Sequence, residues 1–395
     1  MRLTGTSGCR VGQRSRRYAR RRGRGFRPGP GTHAWPARVP LPAVPRPVRE
    51  RPAERYDVLR RVQHRDRGRQ PEEGDASAMV IAKRTAASRH SPGERRARLV
   101  LVAVAAVGFL FGAASLVQHL GTDPLADVHA YYDAGARLNA GQPLYPPDAD
   151  PDAAAFYRYP PLLAIAFRPL ALLPFEAAAA IWETLLIVAF ALTLVRLGMR
   201  FRTVIAVGVL ALPIAWSLAV GQAQVLVTLL LALGSPLALA VATNLKLFPA
   251  LAALYWVGRG DTHPIARFVA WTAALIAVQV VLEPAASRAF LDTLSFSQVG
   301  DVTNWSPYAA SPAVWAILVA AGVGATLVLA RSRAGWPAAV ALSTLATPRL
   351  LTYVLMSLLA CLAPAPSDAA DEESSARRRR TRPGRRLVDR AEPFT

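Results

Sequence analysis

The chain has 395 residues, of which 52% are hydrophobic and 18% charged, and its formal net charge is +21. The charge is concentrated near the N-terminus, because residues 1–98 carry 26 Lys and Arg against 8 Asp and Glu, while residues 99–364 carry 13 against 12. A nearly neutral, strongly apolar middle of this length excludes an ordinary soluble enzyme and predicts an all-α polytopic membrane protein. Cys9 and Cys361 lie far apart in sequence, so neither a disulfide nor a cysteine metal site is expected.

The two ends of the chain are predicted to be disordered. Residues 1–97 form a basic arm, and its first 78 residues are rich in Arg, Pro and Gly without apolar periodicity. Such a segment buries too little apolar surface to offset the entropy lost on ordering. Met79 is the expected initiator. No aromatic interleaving, helix-turn-helix or zinc spacing accompanies the basic arm, so no nucleic-acid partner is predicted. Residues 365–395 are expected to form a charged cytoplasmic tail.

Residues 98–364 are predicted to form a bundle of about ten transmembrane helices. The first apolar stretch, 98–117, has no small-residue cleavage site and is expected to be an uncleaved anchor. Segment 160–174 contains Arg168 and the helix-disturbing prolines Pro160, Pro161 and Pro169, and is expected to be re-entrant or to lie at the interface. The later apolar stretches are 177–195, 203–219, 222–234, 236–257 (broken at Lys246 to Pro249), 265–283, 312–330, 335–347 and 350–364.

The arginines of the short loops predict the orientation of the bundle. They place both termini in the cytoplasm of a bacterial plasma membrane and loop 118–160 on the outer face. Only two of the 47 basic residues are Lys, which is typical of a GC-rich bacterial genome. Loop 118–160 is dense in Asp, Tyr, Asn and Pro, and is longer than most connections between helices. Because long loops are commonly functional, it is the first place to look for chemistry.

Several short motifs resemble those of glycosyltransferase family 87. The resemblance covers roughly residues 98–364 and implies a GT-C fold and a polyprenyl-phosphate-mannose-dependent mannosyltransferase of the kind that builds actinobacterial envelope glycolipids. The chain departs from the family where an Asn-Gln-Ser-like stretch is expected, since only Asn304 and Ser306 suggest it. The motifs that carry the resemblance are Asp127, Tyr131-Tyr132, Ala134-Gly135, Gly141 to Tyr145, Tyr159 to Leu162, Pro169 to Pro174, Trp182, Gly221-Gln222 and Leu245 to Pro249.

The resemblance also implies a catalytic base. A sugar on a lipid phosphate already has a good leaving group, so the enzyme must supply a base that takes the proton of the acceptor hydroxyl. In this fold the base is an outward-facing Asp soon after the first transmembrane helix, a position that matches Asp127. Asp133, six residues on and expected on another face, is the fallback. One base and one displacement imply inversion at the anomeric carbon.

The departing phosphate is expected to bind cationic side chains. Lys246 is the first candidate, because an ionisable group in an apolar segment costs about 2.5–3.5 kcal/mol on insertion scales and is a functional hypothesis by default. Snorkelling to the interface is the alternative. Arg349 is a second candidate and could equally be a charge that sets topology, and Arg158 is a third.

Aromatic and amide side chains are the candidates for binding the sugar or the acceptor. An interfacial aromatic belt is the competing explanation for the tyrosines. The six histidines lack the spacing of metal ligands, so no cofactor is expected and a divalent cation has no support in the sequence. The predicted sugar and acceptor residues are Tyr131, Tyr132, Tyr159, Gln222, Gln224 and Asn304.

Two other functions remain open at this point. A lipid or solute transporter, or a flippase, would share the polar intramembrane residues but should show inverted repeats, which the sequence lacks. An inactive scaffold of an envelope-synthesis complex is conceivable because the segment TPRLLTYVLM is followed by little further apolar sequence. The expected partners of the enzyme are a polyprenyl-phosphate sugar, a glycolipid or polysaccharide acceptor, and membrane lipid.

Overall fold

The computed structural model of the protein describes residues 92–122, 124–146, 156–293 and 304–366. Every regular element within these ranges is a helix, which confirms the predicted all-α class. Residues 1–91 of the predicted arm and the predicted tail from residue 367 lie outside the described residues. The same holds for four acidic residues of the polar loop, Asp123, Asp148, Asp150 and Asp152. Residues 92–97, which were assigned to the disordered arm, belong instead to the helix Pro92–Thr122.

The α-helices of the described residues follow one another with short connections. Four 3-10 helices accompany them, at Leu170–Leu172, Phe248–Ala253, Pro307–Ala309 and Thr352–Leu362. The α-helices are α1 Pro92–Thr122, α2 Ala126–Asn139, α3 Pro161–Phe167, α4 Phe175–Leu197, α5 Phe201–Val209, α6 Ala211–Ala219, α7 Gln224–Leu233, α8 Pro236–Leu245, α9 Leu254–Arg259, α10 Thr262–Leu282, α11 Pro284–Asp292, α12 Pro312–Leu329 and α13 Gly335–Leu345.

Four of these helices, α1, α4, α10 and α12, are long and apolar enough to cross a bilayer. Helices α5 and α6 meet at a bend of 64° and make a fifth candidate if they are counted as one span. In the most apolar stretches of α10 and α12 only 6% of the residues are buried within the protein. Apolar surface of that extent is stable only when lipid covers it. The protein is therefore an integral membrane protein.

The expected count of about ten crossings exceeds what the described residues support. The apolar stretches 222–234, 335–347 and 350–364 form only the 10-residue α7, the 11-residue α13 and the 3-10 helix Thr352–Leu362. Residues of these elements are buried among other helices, so their apolar character reflects burial in protein as well as in lipid. The stretch 236–257 is broken at Lys246, as predicted, into α8, a 3-10 helix and α9.

Helix α1 packs against the bent pair α5 and α6 through small residues. A Cβ on Gly108 would lie 2.3 Å from the carbonyl oxygen of Gly208, and one on Gly112 would lie 2.7 Å from that of Ala211. Small residues allow helix backbones to approach closely in a membrane, where packing and dispersion replace the hydrophobic effect as the force between helices. The first span is thus fixed to the segment that leads into Gly221 and Gln222.

Segment 160–174 contains α3, which is seven residues long and spans about 10 Å. A helix of this length cannot cross a bilayer, in agreement with the expectation for this segment. Arg168 at its end donates to Glu283 at 2.7 Å and to the Asn139 side chain at 3.0 Å. The Gln279 side chain accepts from the backbone N–H of Leu162 at 3.0 Å. These bonds attach α3 to α2 and α10.

Candidate active site

A cavity of about 660 Å³ lies between α2, α7, α8, α11, α13 and the 3-10 helix Thr352–Leu362. Six residues that the sequence singled out line its wall, and they are one acidic residue, three basic residues, a tyrosine and a glutamine. The basic residues come from separate parts of the chain, so only the folded protein brings them together. The six sequence-predicted residues that line the cavity are Asp127, Arg158, Tyr159, Gln224, Lys246 and Arg349.

Backbone hydrogen bonds to the end of α6 fix the position of Asp127. The N–H of Leu125 donates to Ala219 at 3.1 Å and the N–H of Asp127 donates to Val220 at 3.0 Å. Leu125 has a φ of 57°, a left-handed conformation that is uncommon outside glycine and costs a non-glycine residue of order 1–3 kcal/mol. The chain accepts this strain where it turns into α2, and the turn places the Asp127 side chain in the cavity wall.

Gly221 connects this region to α7 and tolerates no side chain. Its φ is 71°, and a Cβ there would lie 2.1 Å from Cγ2 of Val128 and 2.6 Å from Oε1 of Glu183. Its carbonyl oxygen accepts from the indole N–H of Trp182 at 2.8 Å. Because Gly221 has no side chain, Val128, the residue after Asp127, packs directly against its backbone. The next residue, Gln222, is buried in the protein interior.

The Asp127 carboxyl is surrounded by protein although it faces the cavity. Burial raises its pKa to about 6, and the positive charges of Lys246 and Arg158 and hydrogen bonds with Gln222 and Tyr131 act against that rise. An acid of this kind changes protonation close to neutral pH, which is the property required of a general base. The site therefore keeps Asp127 ionised at neutral pH without making it a weak base.

Lys246 follows the last residue of α8, at the break before the next 3-10 helix. Its ammonium donates to Oε1 of Gln224 at 2.6 Å. The Nζ atom also lies 5.2 Å from the ring centroid of Tyr159 and 4.9 Å from that of Tyr353, within the range of cation–π attraction. These contacts hold the Lys246 ammonium in the cavity wall. The side chain therefore does not extend away from the cavity, as the snorkelling alternative would require.

Gln224 in turn belongs to a buried polar chain. Its Nε2 donates to the Ser357 hydroxyl at 2.6 Å, and that hydroxyl lies 3.0 Å from the hydroxyl of Thr228. Buried polar groups of this kind are costly unless they are paired. The chain therefore orients the amide oxygen of Gln224 toward Lys246 and joins α7 to the last 3-10 helix.

Tyr131, Tyr159 and Gln222 form a second polar network behind Asp127. Oε1 of Gln222 accepts from the Tyr131 hydroxyl at 2.8 Å and from the Tyr159 hydroxyl at 2.6 Å. Tyr131 and Gln222 are fully buried and do not line the cavity, whereas Tyr159 does. Tyr131 and Gln222 are thus placed to position Asp127 and Tyr159.

Besides Tyr131 and Gln222, three further predicted residues, Asp133, Tyr132 and Asn304, lie away from the cavity lining. Asp133 is exposed on another face of α2, as its spacing predicts. The Tyr132 hydroxyl donates to the carbonyl oxygen of Leu173 at 2.7 Å. The Asn304 side chain donates to the Pro348 carbonyl at 3.0 Å and accepts from the Leu350 N–H at 2.9 Å, so it holds the backbone on both sides of Arg349.

Sequence reasoning missed Tyr353, Ser357 and Thr228. Tyr353 and Ser357 line the cavity, and Thr228 supports Ser357 from α7. All three stand in apolar stretches assigned to membrane crossings. Polar side chains within such stretches are expected to face protein or a cavity, and this was the available signal. Helix α2 was missed too, although Val128, Tyr131, Ala134 and Leu138 recur at helical spacing and are all buried.

Acidic, histidine and cysteine side chains do not cluster in threes or more anywhere in the described ranges. The charge in the cavity is instead mainly cationic, since Arg158, Lys246 and Arg349 accompany Asp127 and Asp292. Arg and Lys side chains are the groups that proteins use to bind phosphate. The cavity wall is thus suited to an anionic ligand whose reacting group lies near Asp127.

Comparison with known proteins identifies relatives of this chain. The model of a family described as glycosyltransferase family 87 matches residues 156–364. The chain is 28% identical over 240 residues to the polyprenol-phosphate-mannose-dependent alpha-(1-2)-phosphatidylinositol pentamannoside mannosyltransferase of Mycolicibacterium smegmatis, covering 52% of this chain and 57% of that protein. It is 29% identical over 245 residues to the protein of the same name from Mycobacterium tuberculosis, covering 56% of this chain and 55% of that protein.

The extent of these matches bears on the site. The chain spans little more than half the length of either relative. The range matched by the family contains Arg158, Lys246 and Arg349 and begins after Asp127. Asp127 is connected to that range by the backbone bond to Val220 and by the contact with Gln222. No solved structure matches the chain significantly.

Proposed function

Because this chain belongs to glycosyltransferase family 87, we propose that it is a membrane hexosyltransferase that moves a sugar, mannose first of all, from a polyprenyl-phosphate donor to a glycolipid or polysaccharide acceptor. The observation that carries the proposal is that Asp127, Arg158, Lys246 and Arg349 line the same cavity. The names of the relatives favour mannose and a glycolipid acceptor.

Asp127 is the proposed general base. The acceptor oxygen attacks the anomeric carbon while its proton passes to the Asp127 carboxylate, and the bond from that carbon to the phosphate oxygen breaks with its electron pair. A positioned base contributes about 10²–10⁴-fold to such a step. A single displacement inverts the anomeric configuration. The support for this role is that Asp127 is the one cavity carboxylate whose position is fixed by backbone bonds to the Gly-Gln segment and whose pKa is about 6.

Lys246, Arg349 and Arg158 are the proposed ligands of the donor phosphate. Negative charge grows on the phosphate as the sugar leaves, so cations fixed beforehand stabilise the transition state more than the ground state. Lys246 is held by Gln224, and Asn304 holds the backbone on both sides of Arg349. The proposed positions of these charges therefore do not depend on the substrate.

The remaining wall of the cavity is suited to a lipid chain. It is formed largely by apolar side chains of α7, α8, the 3-10 helix that follows Lys246, and the last 3-10 helix. Burying each CH₂ group of a prenyl chain against such a surface contributes about 0.8 kcal/mol. The apolar residues of this wall include Val227, Leu231, Leu245, Phe248, Leu351 and Val354.

The proposed location is a bacterial plasma membrane, with the active site on the outer face and both termini cytoplasmic. A polyprenyl-linked sugar is a donor that is available on that face. The support is that Arg200, Arg202, Arg259, Arg331 and Arg333 lie together away from the active-site cavity, and the positive-inside rule assigns such a group to the cytoplasm.

A transfer assay tests the proposal. Membranes containing the full chain are incubated with radiolabelled polyprenyl-phosphate mannose, with membranes lacking the chain as control, and the label in glycolipid and polysaccharide products is counted. Label above the control in a product whose anomeric configuration, measured by NMR, is opposite to that of the donor is the expected result. No labelled product from mannose or from any other polyprenyl-phosphate sugar would contradict it.

A further inference from the structure

A second cavity, of about 600 Å³, has a wall dominated by arginine. Its basic residues come from three regions that are distant in sequence: the start of α5 with the link before it, the end of α9, and the link between α12 and α13. No acidic side chain lines this cavity among the residues that the structure describes. The five arginines are Arg200, Arg202, Arg259, Arg331 and Arg333.

This cavity lies at the end of the bundle opposite to Asp127. Helix α13 contributes Pro337 near its start to the arginine cavity, and Ser343 and Thr344 near its end to the candidate active site. The last 3-10 helix contributes Tyr353 to the active site and Cys361 to the arginine cavity. Since each element has one end in each cavity, the two are separate sites.

Among the described residues, acidic side chains compensate only part of the charge of the second cavity. Arg259 pairs with Asp261 at 2.8 Å. Arg200, Arg202, Arg331 and Arg333 are exposed, and within the described ranges none of them forms a salt bridge. Like charges that converge on one cavity repel one another, and the repulsion is relieved when an anion binds between them.

We propose that this cavity binds a phosphate-bearing anion, either the headgroup of an anionic phospholipid or a soluble phosphate. A guanidinium fork donates two parallel hydrogen bonds to phosphate oxygens, and several forks around one cavity surround a phosphate from different sides. Basic pockets between transmembrane helices are a known setting for the headgroups of anionic lipids. Arginines that served only to set the topology of the chain would have no reason to line one cavity. These five arginines line the same cavity.

Binding to the purified full-length chain tests this proposal. Native mass spectrometry measures the bound fraction of dioleoylphosphatidylglycerol, with dioleoylphosphatidylcholine as the uncharged comparison, and inorganic pyrophosphate is the soluble probe. The pocket variant combines Arg200→Gln with Arg331→Gln. The matched control combines Arg95→Gln with Arg96→Gln, two exposed residues of α1. The control removes the same charge at the same end, because Arg98 lies 5.7 Å from the ring of Phe201 at the start of α5.

The pocket variant is expected to lose about tenfold in affinity for the phosphate probe, since two charge-assisted contacts disappear, while the control variant keeps its affinity. If the wild type binds phosphatidylglycerol but not pyrophosphate, the site is assigned to lipid headgroups. If pyrophosphate displaces the bound phosphatidylglycerol, the site is assigned to soluble phosphate. Equal affinities of the pocket variant and the wild type for both probes would overturn the proposal. So would equal losses in the pocket and control variants.

The chain itself supplies one competitor, the acidic sequence that follows residue 366. A further variant neutralises that sequence and is assayed in the same way. Binding of a phosphate probe only in this variant would overturn the proposal for the full chain, and binding by the wild type as well supports it. The neutralised residues are Asp368→Asn, Asp371→Asn, Glu372→Gln and Glu373→Gln.

Discussion

The proposed chemistry rests on how Asp127 and Lys246 affect each other. Burial raises the pKa of the Asp127 carboxyl, while the Lys246 charge stabilises its ionised form. The same ammonium is the proposed ligand of the donor phosphate, so the base and the leaving-group ligand are electrostatically coupled. A change at Lys246 should therefore alter both the rate and its dependence on pH.

The first prediction concerns pH. Because Asp127 acts in its ionised form and its pKa is about 6, transfer should fall about tenfold for each pH unit below 6, whereas an ordinary Asp would stay ionised down to about pH 4. A pH profile of kcat/KM in the transfer assay measures this. A rate that stays constant down to pH 5 would contradict the assignment.

The second prediction concerns Lys246→Gln. Loss of a charged ligand costs about 1.5–3 kcal/mol, which corresponds to roughly 10–100-fold in kcat/KM. The variant also removes a charge that lowers the pKa of Asp127, so the acidic limb of the profile should move to higher pH. Arg267→Gln, an exposed change on α10 away from the cavity, is the control and should leave the limb in place. A limb that does not move in Lys246→Gln would contradict the coupling.

At the scale of single elements, the connection between α6 and α7 positions the site. Gly221 combines a φ of 71° with contacts that leave no room for a Cβ. Gly141 has a φ of 66° and no heavy atom within 4 Å of where its Cβ would lie. The two glycines thus share the backbone requirement and differ in their surroundings.

The third prediction follows from that pair. Gly141→Ala should lower stability by about 1–2 kcal/mol, the cost of a left-handed conformation for a residue with a Cβ. Gly221→Ala adds overpacking against Val128 and Glu183, which costs about 1–3 kcal/mol more. Thermal unfolding in detergent compares the two variants. Equal losses of stability in the two variants would contradict the predicted overpacking around Gly221.

The sequence predicted some elements well and others poorly, for physical reasons. The long spans α1, α4, α10 and α12 lie close to their predicted ranges, because lipid requires a continuous apolar run. The break at Lys246 was predicted from Lys and Pro in an apolar stretch. The apolar runs of α7 and α13 predicted crossings, yet these helices are only 10 and 11 residues long and partly buried in protein, because an apolar run does not tell whether lipid or protein surrounds it.

The candidate site was foreseen in part for a related reason. Asp127 was selected because its position matches that of the base in the family that the sequence resembles, and Lys246, Arg349 and Arg158 were selected as cations for the departing phosphate. The fold brings all four into the wall of one cavity. The supporting hydroxyls of Ser357 and Thr228 were not selected, because Ser and Thr are common in membrane helices and only tertiary contacts show which ones serve a site. Their assigned roles stay predictions.

At the scale of the whole molecule, two charged cavities lie at opposite ends of one helix bundle. The active-site cavity combines one proposed base with three cations, and the other cavity is lined by five arginines. An asymmetry of this kind agrees with a protein that has one fixed orientation in the membrane. It predicts that the Asp127 end faces outward.

The fourth prediction tests that orientation by labelling single cysteines. In a chain whose Cys9 and Cys361 are changed to Ser, Gln142→Cys after α2 should react with a membrane-impermeant maleimide in intact cells. Ser332→Cys in the arginine cavity should react only after the cells are permeabilised. Both positions are exposed, so a difference in labelling reports the side of the membrane. The opposite pattern would contradict an outer active site.

The central claim, that Asp127 is the base, is tested most directly by comparing Asp127→Asn with Asp133→Asn. Both changes replace a carboxylate of α2 by an amide of the same shape, and only Asp127 lines the cavity. In the assay with radiolabelled polyprenyl-phosphate mannose, Asp127→Asn should lower kcat by about 10²–10⁴-fold, while Asp133→Asn should transfer at the wild-type rate. Unchanged transfer by Asp127→Asn, or an equal loss in both variants, would contradict the account.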